Sequence, residues 1–263
     1  MSAAQKAPVA IGVDSGSTTW KAVIVDSQGE ILAHHAAPSH PRIQEQTTRE
    51  LAALRAICGA PDNLPVGATG YGRKRVAAAR SLTEITCHAR GAYHLARRAA
   101  LLIDMGGQDT KVIHIDAQGS VADFAMNDKC AAGTGRFLEV LLSRLQVPWE
   151  DVAREVAAAR SSVPVSSTCA VFAESEVISL VAEGEPVSGI LRGVHESLAG
   201  RVAALAATVA RGVPDNLPVL MSGGVARAPV MVDALARALG RPIEVLPTPH
   251  LVGALGAALS VLP

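Results

Sequence analysis

Residues 9–25 read VAIGVDSGSTTWKAVIV, which is an apolar run, a polar turn and a second apolar run rich in β-branched residues. This pattern predicts a strand, a tight turn and a returning strand. A second turn follows at residues 26–29, DSQG, and leads into residues 30–33, EILA. We therefore expect three antiparallel strands at the start of the chain.

The same order of features recurs ninety positions later, in residues 101–119, LLIDMGGQDTKVIHIDAQG. Six residues are identical in one register: Asp14 and Asp104, Gly16 and Gly106, Lys21 and Lys111, Asp26 and Asp116, Gln28 and Gln118, and Gly29 and Gly119. Each of them occupies a turn or a strand position. The repeat predicts two similar α/β halves around one cleft, near residues 1–99 and 100–263. The closing segment, residues 251–259, is expected to return to the first half.

Helical periodicity appears between and after the two hairpins. It predicts helices at residues 44–58, 81–98, 135–145, 149–159, 173–183, 187–211, 228–239 and 251–259. One further strand is expected at residues 218–221, immediately before Ser222 and the pair Gly223-Gly224. No low-complexity tract separates these segments, so both halves should be compact.

The composition narrows the classes of function. Lys plus Arg equals Asp plus Glu at 24 each, so no net charge steers the chain toward nucleic acid or anionic lipid. The sequence has neither the apolar core of a signal peptide nor the ~20 consecutive apolar residues of a membrane span. We therefore expect a cytoplasmic protein, with no nucleic-acid or membrane partner, whose cysteines are thiols or metal ligands.

A turn of the form Asp-x-Gly after a buried strand suits triphosphate chemistry. Glycine lets backbone N–H groups approach phosphate oxygens, and the carboxylate can hold the hydration shell of Mg²⁺. One such turn is equally typical of an ordinary hairpin. Two of them, with Gly223 and Gly224 as a third backbone platform, favour nucleotide binding. We interpret Lys21 as a solvated or stacked charge on its strand and not as a phosphate ligand.

Two of the four cysteines stand before predicted helix starts. Cys130 lies in residues 127–137, NDKCAAGTGRF, and Cys169 follows a Ser-Ser-Thr run. Helix N-termini stabilise thiolates and anionic clusters. Cys58 and Cys87 lie in apolar helical surroundings and are predicted to be packing residues. Two thiolates cannot complete a cluster with four cysteine ligands, but a two-fold dimer presents the same two ligands twice.

The two Asp-x-Gly turns and the late glycine pair resemble the phosphate and adenosine motifs of the actin, sugar kinase and Hsp70 superfamily. This resemblance implies an α/β fold of duplicated actin-like (ribonuclease H-like) ATPase halves around a nucleotide cleft. The residues that it implies for catalysis are Asp14, Asp104 and Gln108. Of these, it implies that the two aspartates lie near Mg²⁺. The implied nucleotide-binding residues are Gly16, Ser17, Thr18, Thr19, Gly106, Gly107, Gly133, Thr134, Gly223 and Gly224.

The whole pattern resembles the activators of 2-hydroxyacyl-CoA dehydratases and the ATPase subunits of benzoyl-CoA reductases. The matching stretches are residues 11–25, 70–73, 84–91, 104–112, 127–139, 169–179, 222–225 and 253–257, of which residues 127–137 are the most specific. The resemblance implies an ATP-dependent one-electron donor that uses Mg²⁺. It also implies one [4Fe–4S] cluster shared by a homodimer, with Cys130 and Cys169 as ligands.

The partners implied by this resemblance are an acyl-CoA dehydratase or reductase that holds the substrate, and a ferredoxin or flavodoxin that supplies electrons. Three other functions remain open on the residues alone: a small-molecule kinase with the same nucleotide turns, a structural zinc protein and a regulator that only senses ATP. The sequence does not name the client enzyme, and related double-cubane-cluster reductases use similar activators. A heterodimer with a sister ATPase subunit is also open.

Overall fold

A computed structural model of the chain describes residues 7–127, 134–166, 169–211, 214 and 216–263. The chain divides into two compact units. The first unit contains the chain up to Ala99 together with Ile115–Ala122 and Leu246–Pro263. The second unit contains Ala100–His114 and Asp123–Val245.

The first sheet has five strands in the order β3-β2-β1-β4-β5. The strands are β1 (Ala10–Ser15), β2 (Thr19–Val25), β3 (Ile31–Pro38), β4 (Val66–Thr69) and β5 (Arg80–Ser81). The first three are antiparallel, as the sequence predicts, whereas β4 runs parallel to β1. The apolar runs of β1 and β2 are buried because both strands lie inside the sheet, with neighbours on each side.

The second sheet repeats this arrangement in the order β8-β7-β6-β9-β10. Its strands are β6 (Ala100–Met105), β7 (Thr110–Ile115), β8 (Val121–Asn127), β9 (Val219–Ser222) and β10 (Ile243–Val245). As in the first sheet, the first strand of the hairpin pairs in parallel with a later strand, here β6 with β9. The duplication inferred from six identities therefore extends to the whole strand order.

The turn between β2 and β3 is equivalent to the turn between β7 and β8. Asp26 Oδ1 accepts hydrogen bonds from the backbone N–H groups two and four residues later, both at 2.9 Å. Asp116 Oδ1 accepts the equivalent bonds at 2.9 and 2.8 Å. Gly29 and Gly119 have φ values of 79° and 81°, a left-handed conformation that glycine adopts without strain. The shared residues of the repeat thus do the same structural work in both units.

Eight helices lie in the described part of the chain. They are α1 (Ile43–Cys58), α2 (Glu84–Ala96), α3 (Gly135–Leu145), α4 (Val152–Ala158), α5 (Ala170–Ala182), α6 (Val187–Val209), α7 (Pro229–Leu239) and α8 (Val252–Leu259). Helix α2 begins three residues later than predicted, because Arg80–Ser81 forms β5 and Thr83 caps the helix. Helix α5 begins three residues earlier, directly after Cys169. None of the helices in the described residues is both long and apolar enough to cross a bilayer.

Helix α8 packs closely against the first sheet and against α2 because glycine stands at the contacts. A Cβ at Gly12 would lie 1.9 Å from the Ala254 carbonyl oxygen. A Cβ at Gly256 would lie 1.8 Å from the carbonyl oxygen of Cys87. Both contacts leave no room for any side chain. The small residues of α8 thus bring it directly beside β1, the strand that ends just after Asp14.

Candidate functional site

The turn between β1 and β2, here called the first turn, places an acid beside a lysine. Asp14 is buried near the end of β1, and Lys21 lies opposite it on β2. Lys21 Nζ donates to Asp14 Oδ2 at 3.0 Å, and only 17% of the lysine side chain is exposed. The interpretation of Lys21 as a solvated or stacked charge was therefore wrong. A cross-strand pair brings the two charges together because residues that face each other in a hairpin share one face.

A second loop of the first unit approaches this turn. Gly70 has a φ of 92°, and a Cβ there would lie 2.6 Å from Asp14 Oδ1. The Gly72 N–H donates to the carbonyl oxygen of Ser15 at 2.8 Å. Sequence reasoning gave this Gly-Tyr-Gly segment no role, although two glycines around the exposed Tyr71 indicate a close backbone approach.

The turn between β6 and β7, here called the second turn, places a lysine beside two aspartates. Asp104 is 2% exposed, and Ser222 Oγ donates to its Oδ1 at 2.8 Å. Lys111 Nζ lies 3.4 Å from Asp104 Oδ2 and 2.7 Å from Asp109 Oδ2. The lysine side chain is only 3% exposed, so its charge is matched by carboxylates within a nearly dry environment.

Both turns close with the same backbone hydrogen bond. The Gly16 N–H donates to the Thr19 carbonyl at 3.1 Å, and the Gly106 N–H donates to the Asp109 carbonyl at 2.9 Å. The residues between them project outward, since Ser17 and Gln108 are exposed. Exposed glycine-containing turns of this kind present backbone N–H groups to an anionic ligand.

The glycine pair after β9 lies against the second turn. Gly223 has a φ of 90°, and a Cβ there would lie 2.2 Å from the carbonyl oxygen of Met105. Gly224 begins a short 3₁₀ turn that ends at Arg227 and is exposed. Because β9 runs parallel to β6 with Ser222 level with Asp104, both strands end at the same edge of the sheet. Ligands of open α/β sheets bind at such an edge.

Helix α3 is bonded directly to the second turn. The Gly135 N–H donates to the Gly106 carbonyl at 2.9 Å, and the Arg136 N–H donates to the Gly107 carbonyl at 2.8 Å. Thr134 is buried at the N-terminal cap of this helix. Of the other predicted residues of this segment, Cys130 and Gly133 lie outside the described residues.

Cys169 occupies the N-terminal cap position of α5 and is half-buried. The adjacent Val171 and Phe172 are each 68% exposed, which is unusual for apolar side chains of this size. Glu176 of α5 accepts hydrogen bonds from both the N–H and the Oγ of Ser166. These bonds connect the segment before Cys169 to the N-terminal half of α5. In the described residues, no group of three or more His, Cys, Asp and Glu side chains is placed to hold a metal ion.

The two remaining cysteines lie in the first unit. Cys58 is half-buried near the end of α1. Cys87 is fully buried in α2, and this burial, with a smaller contribution from the charge of Asp14, raises the pKa of its thiol to about 11. A thiol with such a pKa stays protonated at neutral pH and is a poor metal ligand.

Comparison with known proteins assigns the chain to a family. Residues 11–261 match the model of the BadF/BadG/BcrA/BcrD ATPase family. The chain belongs to this family. Among its relatives, the activator of lactoyl-CoA dehydratase from Anaerotignum propionicum is 42% identical over 255 residues, which cover 95% of each chain. The (R)-2-hydroxyglutaryl-CoA dehydratase activating ATPase of Acidaminococcus fermentans is 41% identical over 256 residues, also 95% of each chain.

Another relative of this BadF/BadG/BcrA/BcrD-type ATPase belongs to a different enzyme. It is one of the subunits of benzoyl-CoA reductase from Thauera aromatica, and it is 31% identical over 267 residues, which cover 95% of this chain and 92% of the relative. Both kinds of protein named in the sequence-based resemblance are therefore represented among the relatives. The prediction of the family is confirmed.

Solved structures confirm the fold of this family member. The activator of 2-hydroxyisocaproyl-CoA dehydratase from Clostridium difficile, solved with bound ADPNP, has a TM-score of 0.86 at 39% identity and covers 96% of this chain and 94% of its own. A ROK family glucokinase from Streptomyces griseus has a TM-score of 0.60 at 16% identity and covers 96% and 98%. At that identity the glucokinase supports the actin-like ATPase fold alone.

Proposed function

We propose that this ATPase is an ATP-dependent one-electron donor that activates a 2-hydroxyacyl-CoA dehydratase. The observation that carries the proposal is the pair of hydrogen bonds from the start of α3 to the Gly106 and Gly107 carbonyls. These bonds connect a phosphate-type turn to the helix that begins five residues after Cys130. Relatives named as dehydratase activators, at 41–42% identity over 95% of the chain, support the same function.

The proposed nucleotide site uses both turns. Asp14 and Asp104 supply negative charge near a hydrated Mg²⁺ ion, and Gln108 orients the attacking water. The backbone and side chains that contact the phosphates are Gly16, Ser17, Thr18, Thr19, Gly106, Gly107, Gly133 and Thr134. Gly223 and Gly224 lie against the adenosine. In this proposal the boundary between the two duplicated halves lies in the sequence near residues 99 and 100.

The proposed redox group is a [4Fe–4S] cluster held by Cys130 and Cys169. When bound, such a cluster accepts and donates one electron at a low potential. The chemistry of the donor set fits, because Cys169 caps the N-terminus of a 13-residue helix whose dipole stabilises a thiolate. Cys169 also stays partly accessible, as a ligand shared with another chain must be.

The proposed coupling runs through α3 and α5. If Gly106 and Gly107 move when the bound nucleotide changes, their hydrogen bonds to the first two N–H groups of α3 would displace the start of that helix. Helix α3 packs against α5, and Arg144 of α3 forms an ion pair with Glu174 of α5. The chain of contacts thus leads from the second turn to α5, the helix that Cys169 caps at its N-terminus.

A homodimer follows from the count of ligands in this proposal. Each chain would supply two cysteine ligands, Cys130 and Cys169, whereas a [4Fe–4S] cluster commonly takes four. The exposed Val171 and Phe172, next to Cys169, are apolar surface that a second chain would cover. A ferredoxin or flavodoxin would supply the electron. An ATPase subunit of a benzoyl-CoA-type reductase is the second candidate, supported by the relative at 31% identity.

The test is made on anaerobically purified protein. We expect a brown dimer with about four iron and four sulfide per two chains. The reduced dimer should transfer an electron to purified lactoyl-CoA dehydratase only while ATP is hydrolysed. Cys130→Ala and Cys169→Ala should each abolish the colour and the electron transfer, and leave ATP binding in place.

Cys58→Ala is the matched control, because Cys58 is a half-buried cysteine of the first unit. This variant should stay brown and active. A colourless monomer that transfers electrons, or a colour that survives the loss of Cys130, would refute the proposal.

A further inference from the structure

The second turn carries a carboxylate to which neither the repeat nor the family resemblance gives a role. Asp109 lies two residues before Lys111, and its equivalent in the first turn is Thr19. We propose that Asp109 is a third acidic residue of the ATPase site, one whose Oδ1 accepts a hydrogen bond from a water molecule of the Mg²⁺ hydration shell. This inference rests on the proposed nucleotide site.

The first step of the argument is that Asp104 is already bound on both oxygens. Ser222 Oγ donates to Oδ1 at 2.8 Å, and Lys111 Nζ lies 3.4 Å from Oδ2. The carboxylate is 2% exposed. Asp104 therefore contributes its charge from behind the turn, with little surface left for a hydrated ion, which keeps several of its waters.

Asp109, by contrast, reaches the outer surface of the turn. Its side chain is 25% exposed, and Lys111 Nζ donates to Oδ2 at 2.7 Å. The other oxygen, Oδ1, lies over Gly106, where it would be 2.6 Å from a Cβ at that position. Among the described residues no protein donor bonds to Oδ1. Lys111 thus holds one oxygen of the carboxylate and leaves the other directed over the glycine backbone.

The balance of charge favours a cation at the same place. In the first turn, the ion pair seen among the described residues joins Asp14 to Lys21. In the second turn, two carboxylates, Asp104 and Asp109, contact the same lysine, Lys111. An additional, partly buried carboxylate attracts a divalent cation and repels a bare triphosphate. The asymmetry therefore predicts that Asp109 changes the affinity for the nucleotide in opposite directions with and without magnesium.

The experiment uses this difference in sign. The affinity of the purified full-length protein for ADPNP is measured by calorimetry, once in excess Mg²⁺ and once in EDTA. In Asp109→Asn, we expect the gain in affinity caused by Mg²⁺ to fall about tenfold, which is about 1.4 kcal/mol. The affinity for metal-free ADPNP should stay equal or increase. Asp233→Asn, an exposed acid of α7 in the same unit, should change neither value.

A purely structural role of the Asp109–Lys111 pair predicts another result, an equal loss of affinity under both conditions. That result, or an unchanged effect of Mg²⁺, would overturn the inference. Asp109→Glu keeps the carboxylate and should retain most of the effect of Mg²⁺. If Asp109→Asn does not fold, the double variant with Lys111→Met removes both charges and must show the same loss. A wild-type protein that binds no nucleotide under either condition would instead refute the proposed function.

Discussion

The first and second turns have the same backbone and different surroundings. Each closes with a hydrogen bond from a glycine N–H, that of Gly16 or Gly106, and each places a lysine seven residues after its first aspartate. In the second turn, however, a serine from β9 and an additional aspartate join the acid and the lysine. The second turn is also bonded to α3, the helix that follows Cys130.

This difference indicates how a duplicated fold can divide its tasks. In the proposed nucleotide site, the shared backbone of the repeat would let both turns offer N–H groups at the end of a buried strand. Under the proposed function, the additional carboxylate of the second turn would suit a cation, whereas the single acid–lysine pair of the first turn would not. We expect the first turn to act mainly through phosphate binding, and the second turn to combine metal binding with coupling to the cysteines.

The strongest test of this division is the exchange of the two aspartates for asparagine. Asp104→Asn should lower ATP turnover by roughly 10²–10³-fold and leave the iron and sulfide content unchanged, because the lost charge positions the metal ion and holds no sulfur. Asp14→Asn should also lower turnover. The exposed Asp62→Asn is the control. An Asp104→Asn protein with normal turnover would exclude Asp104 from the site.

A second test compares the stability that each lysine contributes. Lys111→Met removes the buried cation beside the buried Asp104 and the partly exposed Asp109, so the free energy of unfolding should fall by about 3–5 kcal/mol. Lys21 is the more exposed of the two lysines, with 17% of its side chain accessible against 3% for Lys111, and only one carboxylate, Asp14, loses its charge partner, so the loss should be about 1–3 kcal/mol. Urea denaturation followed by circular dichroism measures both. Equal losses would show that the two turns are alike in their energetics.

The last prediction concerns the buried thiol near the first turn, whose effect appears only at alkaline pH. Burial raises the pKa of Cys87 from 9.0 to about 11, so the unfolded chain ionises first as the pH rises. The folded state should therefore lose roughly 2–3 kcal/mol of stability between pH 9 and 11. In Cys87→Ala this part of the pH dependence should disappear. If thermal unfolding of both proteins shows the same dependence above pH 9, the thiol does not have the raised pKa.

The hairpins and most helices could be predicted because their patterns are local. Apolar runs broken by Asp-x-Gly and by Asp-x-Gln-Gly predicted β1, β2, β3, β6 and β7, and periodicity predicted α3 to the residue. Strands β4, β5, β8 and β10 were missed. Residues 66–69, VGAT, are short and carry little strand signal of their own. Gly67 is there because a Cβ would lie 2.0 Å from the Ala257 carbonyl oxygen of α8, a contact between distant parts of the sequence.

The sequence by itself determined the family, the duplicated α/β halves and the two Asp-x-Gly turns, since a repeated motif needs no knowledge of distant contacts. The tertiary structure alone decided which groups meet those turns. Ser222 reaches Asp104 across 118 positions because β9 pairs with β6, and Lys111 takes two carboxylates instead of one. Hydrogen bonds and charges act over a few ångströms in space, and only the folded chain determines which residues come that close.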